Sequence, residues 1–496
     1  MSAARDAPFQ VDQEKQEPAE IHVSAYQKHQ SELDAVFGGP EERKRIERRL
    51  LWKLDLRMSI LIFIYILNYI DRNNAGAARL RGFEADLHLK GQEFATLLSI
   101  LYVGYILMQI PSNMFLNWIG KPSIYLPCCM IIWGTISVLT GERITKNFVD
   151  ALLTRFFLGF VEAAFFPGAL FLLSKWYTKS ELGVRTAILY CGNIISNAFG
   201  SLMASGILDG MDGRLGHAAW RWLFYIEGAL TIFFAIIALF VLPDFPTTTR
   251  WLTPQERSLA LKRMASDFAG IGDQNETETG GHTHGLRLAL TDWKVWWLSL
   301  AMTSNVVSLS FNAYFPTLSA TLGYGRTITL VLCAPPFIVA AAAALLLARH
   351  SDKSGERFWH VSISLALGIV GFIIAISTMN TAARYVSLFL MAQSYAGFVC
   401  FYTWLSNSFP RPPSKRAVAL AFINAFSQMG NIAGSYVWPS MWGPTYRNSY
   451  AICIACQSLT IVMLWIFRMH LKALNEKMDQ DDESKDIKEK GFRYML

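Results

Sequence analysis

The sequence predicts an all-α membrane protein with twelve transmembrane helices in two pseudo-symmetric six-helix bundles. Three observations carry this. Hydrophobic residues make up 52% of the 496-residue chain and charged residues only 17%. The charges gather in the first 57 residues, around 244–294 and after Arg468, with long apolar stretches between them. Those stretches run to about 20 residues, the length a helix needs to cross a hydrocarbon core of about 30 Å. They also fall into two sets, separated by one long polar segment.

The first set of candidate spans is 58–79, 94–116, 123–141, 150–174, 185–208 and 220–242. The second is 294–316, 328–348, 359–379, 384–406, 417–439 and 448–468. The chain then divides into a tail over 1–57, a first bundle over 58–242, a linker over 243–293, a second bundle over 294–468 and a tail over 469–496. Residues 1–40 are polar and expected to be disordered. In 41–57, basic residues alternate with Ile46, Leu50, Leu51 and Leu54 at helical spacing. This predicts an amphipathic helix, lying either on the inner leaflet or in solvent as a lead into span 1. The linker contains GIGDQNETETGGHTHG and reads as flexible. The polar first 55 residues carry no signal-peptide pattern.

An internal duplication supports the two bundles. GVRTAILYCGNIISNAF in the first half aligns with SKRAVALAFINAFSQMG in the second. One offset matches Arg185 to Arg416, Asn193 to Asn424 and Ser196 to Ser427. Two similar halves packed face to face place a substrate site at their interface, near the bilayer midplane.

The net charge of +7 fits basic cytoplasmic loops better than a nucleic-acid partner. Arg43, Lys44, Arg45, Arg48, Arg49, Lys53 and Arg57 flank span 1, and the even-numbered loops hold Lys175, Lys179, Arg185, Arg349, Lys353, Arg357, Arg411, Lys415 and Arg416. Most odd-numbered loops are poorer in base, the first (Arg79, Arg81, Lys90) being a mild exception. Both termini and the linker are therefore expected in the cytoplasm, where the sequon at Asn275 would stay unmodified. All seven cysteines lie in apolar segments, which predicts free thiols. The CxxC of Cys453 and Cys456 lacks a partner pair, and His282 and His284 lack further ligands, so no metal site is expected. No phosphate-binding loop or nucleophile motif appears, so no enzyme, catalytic residue or cofactor is expected.

A charge inside a span is costly and marks a substrate or proton pathway. Asp71 and Arg72 lie in span 1, in LNYIDRNN, with Asn68 on a shared face. Arg155 and Glu162 lie in span 4, seven residues apart, and so point in nearly the same direction. The four charges sum to zero and can pair. An arginine fork fits a carboxylate, so Arg72 is the first candidate for a substrate anion, with Arg155 as second candidate or charge partner. A carboxyl group in a low-dielectric cavity can take a proton on one side and lose it on the other, which makes Glu162 and Asp71 the proton-coupling candidates. The alternative is a neutral lock between spans 1 and 4, with Asp71 near the span's end and partly wet. Glu227, near Arg221, is expected to form a structural ion pair. Tyr105, Gln109, Asn193, Asn197, Asn312, Tyr314, Gln393, Tyr395, Asn424 and Gln428 are uncharged polar residues within spans. Tyr105, and the repeat-related Asn193 and Asn424, are the ones assigned to substrate.

Several motifs give the chain a family resemblance. SDKSGER (Ser351 to Arg357) resembles the loop motif D-[RK]-x-G-x-R of the major facilitator superfamily, while the first-half loop LNWIGKPS keeps Gly120 and Lys121 but lacks the Asp. Arg155 and Gly159 match that superfamily's R-x-x-x-G in span 4. In that fold such loop charges hold a gate, which makes Asp352 and Arg357 gating candidates. NYIDRNN, QIPSN, RFFLGFVEAAFFPG and WRWLF are similar to the fungal branch of the anion:cation symporter family, which includes allantoate, nicotinate and pantothenate permeases. The resemblance covers roughly 50–470. It implies that the acids at 71 and 162 carry protons, that the arginines at 72 and 155 hold the substrate anion, and that the chain sits in a fungal plasma membrane.

The reading from sequence is thus a proton-coupled importer of a small organic anion, working as a monomer by alternating access. Efflux by proton antiport is the nearest rival. Such antiporters carry a Gly-Pro pair in span 5, which here has Gly192, Gly200 and Gly206 but no Pro. A transport-dead nutrient sensor is the other, and the tail after Arg468 is short for one.

Overall fold

Glycines and capping residues cut the apolar stretches into helices. Gly120, at φ +65°, ends Glu93–Ile119, and Pro122 opens Pro122–Gly141. The side chains of Asn147, Asp292 and Asn380 accept from first-turn N–H groups of the helices they precede, satisfying donors that a helix start leaves open. Thr178 and Glu181 form a reciprocal capping box at the start of Lys179–Gly210. The computed structural model describes residues 37–249, 251–269, 282–409, 413–484 and 493–496. The expected disorder of the N-terminal tail, the Gly-rich part of the linker and Asn275 lie largely outside them.

The twelve spans are Ile60–Arg79, Glu93–Ile119, Pro122–Gly141, Phe148–Trp176, Lys179–Gly210, Ala219–Val241, the broken helix over 293–320, Arg326–Ser354, Phe358–Ser377, the broken helix over 381–408, Pro413–Ser435 and Arg447–Ser484. Among the described residues, nine helices are long and apolar enough to cross a membrane. Span 7 falls outside that group because its α-helix stops after 16 residues at a 3₁₀ break, and spans 1 and 11 because polar side chains lower their mean hydropathy. Spans 4, 7 and 10 are interrupted, at Ala163–Ala164, at the 3₁₀ segment Leu309–Tyr314 and at Gln393. Irregular backbone at membrane depth is tolerated where it lines a cavity. Phe63, Leu107, Phe157, Phe233, Leu346 and Trp465 are exposed, and in a bilayer they face lipid.

Three apolar cores set the shape. One, at the end away from the linker, takes residues from both halves, including Phe94, Phe224, Phe311, Tyr314, Phe337 and Trp438. At the linker end the core is split. One part belongs to the first half, with Trp133, Trp176 and Leu54, and the other to the second, with Trp404, Phe467 and Phe358. The halves are therefore welded at the far end. Hydrogen bonds between them gather there too: Arg79 to Ser440 (2.8 Å), Tyr436 to Thr96 (3.1 Å), and Ser205 to the Thr327 carbonyl (3.0 Å). On the linker side the halves meet at Tyr190 and Tyr402, with ring centroids 4.9 Å apart.

Two expectations are corrected. The apolar stripe of the helix Pro40–Met58 does not face a leaflet or solvent: Leu50 and Leu54 are fully buried against protein. Part of the linker is also ordered. Its helix Pro254–Ala269 docks on Pro40–Met58 through Lys53–Glu256 (2.6 Å) and Arg263–Glu47 (3.2 Å), and Arg263 reaches Glu181 as well (2.9 Å). The reason is charge complementarity between segments far apart in sequence, which no local pattern reveals.

Burial alone would raise the Glu256 carboxyl, but the Lys53 ammonium and the Thr253 N–H hold it below the usual glutamate value. A carboxyl depressed on folding contributes stability that is present above its ordinary range and lost as pH falls through its folded value. Docking of 254–269 is thus expected to persist at neutral pH and to loosen below about pH 4. Hydrogen exchange of that helix, corrected for intrinsic rates, should rise on acidification. It should rise at neutral pH in Lys53→Ala. Equal protection in all samples would show that the contact contributes nothing.

Candidate functional site

Asp71 and Arg72 are neighbours on a helix, so they point about 100° apart. That angle separates their roles. Arg72 faces the space between the halves. Asp71, 0% exposed, turns into the first half, where it accepts from Ser137 Oγ (3.2 Å) and Thr231 Oγ1 (2.8 Å). It is neither wet nor near the span's end.

Arg72 donates through Nε (3.2 Å) and Nη2 (3.0 Å) to Glu162 Oε2. The guanidinium carbon lies 4.9 Å from the ring centres of Tyr69 and Tyr105 and 5.7 Å from that of Tyr102. A guanidinium boxed by ring faces is held by cation–π attraction on its flat sides and keeps its edge for anions. Glu162 is the last residue before the break in span 4, which places its carboxyl behind Arg72.

Arg155, expected as a second anion candidate or a charge partner, lines the cavity and bonds neutral groups: its Nη2 donates to Asn74 Oδ1 (2.7 Å), and its Nη1 to the backbone carbonyls of Asp71 (3.3 Å) and Arg72 (3.4 Å). Asn74 Nδ2 in turn donates to Glu227 Oε2 (2.9 Å). The ion pair expected between Glu227 and Arg221 does not form. Arg221 donates to the carbonyls of Gly141, Glu142 and Thr145, while Glu227 is buried with Asn74. Two charges six residues apart in sequence are satisfied better here by partners on other helices.

A cavity of about 1040 Å³, including its open mouth, lies between the halves. Arg72, Arg155, Asn193 and Asn424 line it, with Tyr69, Tyr102, Asn73, Asn312, Tyr395 and Gln428. Tyr105 borders a smaller lobe shared with Tyr65 and Asn68. Asp71 and Glu162 stand behind the wall. The two repeat-related positions have similar local bonding. Ser196 Oγ donates to the Asn193 carbonyl (2.6 Å), and Ser427 Oγ donates to that of Asn424 (2.8 Å). Asn197 and Gln428, at the same offset, bond those same carbonyls.

The gating candidates lie elsewhere. Arg357, 3% exposed, binds Asp352 Oδ1 at 2.5 Å and Ser351 Oγ at 2.9 Å, stapling spans 8 and 9 at the linker end. Residues 493–496 fold onto the same place, with the Leu496 carbonyl accepting from the N–H groups of Arg357 and Phe358. Sequence reading missed Tyr69, Tyr102, Asn73 and Asn74. The signal for the two asparagines was present in NYIDRNN, but only packing shows which of its polar groups face the cavity.

The sequence profile of the Major Facilitator Superfamily matches residues 61–435. The MFS-type transporter cnsO of Penicillium expansum is 32% identical over 455 residues, covering 89% of this chain and 85% of that protein. A putative tartrate transporter of Agrobacterium vitis is 33% identical over 400 residues, covering 80% of this chain and 88% of its own. The xylose transporter XylE from E. coli, in a partially occluded inward open conformation, superposes with a TM-score of 0.63 at 15% identity, over 84% of this chain and 99% of that one. With its helical fold, its central cavity and these relatives, the chain is a multi-pass membrane transporter, not an enzyme, and belongs to the Major Facilitator Superfamily.

Proposed function

We propose that the protein imports a small organic anion together with a proton, by alternating access. The observation that carries this is the Arg72–Glu162 pair. A cationic fork stands on the cavity wall, and its only close carboxylate sits behind it among the described residues. A substrate carboxylate and Glu162 compete for one guanidinium. A proton on Glu162 removes its claim and frees Arg72 for the substrate, while loss of that proton returns Arg72 to Glu162 and releases the anion. Charge arithmetic favours the same reading. Asp71, Glu162 and Glu227 meet two arginines, 72 and 155, in one buried cluster. Since an unpaired buried charge is strongly unfavourable, electroneutrality calls for one exchangeable proton.

In this reading the first half (58–242) supplies the charges and the second (294–468) an uncharged polar wall. The halves rock about the cavity, and Asp352 and Arg357 act on the gate. The linker and the tails (1–57 and 469–496) lie in the cytoplasm, and the chain works as a monomer in the plasma membrane. The far-end weld then makes this the inward-facing arrangement.

The test is uptake of radiolabelled carboxylates by yeast cells expressing the chain, at acidic and neutral external pH. Acid-stimulated accumulation of an anion is expected. Glu162→Gln should abolish accumulation above equilibrium and flatten the pH dependence, while anion exchange across the membrane persists. Uptake indifferent to pH in the unmodified protein would remove the proton coupling, while no accumulation of any carboxylate, or faster loss of a preloaded compound, would replace import with efflux or sensing.

A further inference from the structure

Asn197 stands behind the cavity wall on span 5 and is 8% exposed. The backbone fixes which way its amide points. Its Nδ2 lies 3.0 Å from the Asn193 carbonyl oxygen, and a carbonyl oxygen can only accept. Oδ1 therefore faces the other way, where it lies 3.0 Å from Asn73 Nδ2 and 3.1 Å from Asn312 Nδ2. Both neighbours must turn their NH₂ groups to it. Their own Oδ1 atoms are left over as acceptors, one from span 1 in the first half and one from the 3₁₀ break of span 7 in the second. Both residues line the cavity. Asn312 Oδ1 is buried and has no partner among the described residues, which makes the wall incomplete without a donor.

The rest of the wall sorts the substrate further. Arg72 and Arg155 are the charged residues of the lining, and no carboxylate is among them. The second half contributes amides and hydroxyls: Asn424, Gln428 and Asn431 from one face of span 11, with Ser310 and Ser427.

We infer that the transported anion carries hydrogen-bond donors (hydroxyl, amide or ureide N–H) at the end opposite its carboxylate, and that Asn73 and Asn312 recognise them. This rests on the import of an anion at Arg72. A donor-bearing anion touches both halves through an amide pair already joined by Asn197, so it completes the contact between them. An anion without donors leaves the Asn312 oxygen unpaired. Sites built to bond a substrate O–H or N–H discriminate strongly against analogues that lack it.

The experiment measures uptake of matched radiolabelled carboxylates in yeast cells expressing the full chain. 4-Hydroxybutanoate is set against pentanoate, and N-carbamoylglycine against 4-oxopentanoate; the second member of each pair has the same length but lacks donors. Each is measured in the unmodified protein and in Arg72→Ala, Asn312→Ala and Asn73→Ala, with protein at the cell surface quantified. The expected result is Arg72-dependent uptake favouring the donor-bearing member by at least about tenfold, and a ratio that falls towards one in Asn312→Ala. The comparison within the unmodified protein needs no variant to fold. Equal Arg72-dependent uptake of both members overturns the inference and leaves the importer reading standing. A preference undiminished in both asparagine variants overturns the assignment to these amides. Absence of Arg72-dependent uptake for every compound removes the importer reading itself, and this inference with it.

Discussion

Arg72→Ala is expected to abolish anion uptake and to destabilise the protein at the same time. The two losses have different causes. Uptake fails if, as proposed, Arg72 is the group that holds the substrate anion. Stability falls because Glu162, 1% exposed, is left without the guanidinium that binds it through two nitrogens. Removing one partner of a buried pair costs about 3–5 kcal/mol, mostly from the stranded charge. The double variant Arg72→Ala/Glu162→Gln separates the effects, since a neutral amide has no charge to strand. Thermal unfolding in detergent should show it recovering most of the lost stability, with uptake still at background. Arg72→Lys should also fail, because an ammonium cannot fill the flat slot between Tyr69 and Tyr105. Substantial uptake by the double variant would remove Arg72 from the substrate site. A single variant as stable as the parent would show that the pair does not hold spans 1 and 4 together.

The largest structural effect is expected at Gly159. Spans 2 and 4 cross so closely that a Cβ at position 159 would overlap the Leu101 carbonyl oxygen, and one at Gly104 the carbonyl of Phe156. Within a membrane, helices associate through close packing at small residues and not through water exclusion. Neither obstacle is a flexible side-chain end, so the backbones must separate. Gly159→Val should therefore cost several kcal/mol, above the usual ~1–3 kcal/mol for overpacking, and yield little monodisperse protein on size exclusion. It would also move Arg155 and Glu162 on span 4 away from Tyr102 and Tyr105 on span 2. Gly206→Ala, where an added Cβ meets nothing within 4 Å, is the control and should behave like the parent. A Gly159→Val protein that purifies and melts normally would mean that the crossing has room the structure does not show.

Much of the architecture was legible because a bilayer imposes simple rules on sequence. A span must be long and apolar, so hydropathy locates it. Charges inside a span are rare, so Asp71, Arg72, Arg155 and Glu162 stood out before any coordinates. The repeat relating Asn193 to Asn424 was likewise visible, and both asparagines line the cavity. The cavity-lining spans 1 and 11 are less apolar than most of the set because they trade lipid contact for polar function.

What sequence could not decide was partnership. Four charges that sum to zero allow several pairings between spans 1 and 4, and nearness in sequence favoured Arg221 for Glu227. The structure gives Glu162 to Arg72, and Arg155 and Glu227 to the two ends of Asn74. Those choices depend on the rotation of each helix about its axis and on the break at Ala163–Ala164, which are set by how whole helices pack. The sequence by itself determined that this is a two-bundle membrane transporter with a charged centre. Only the tertiary structure decided which charges meet and which amide oxygens the described residues leave unpaired at the cavity wall, because a hydrogen bond needs placement within a few tenths of an ångström and helical periodicity fixes only a direction.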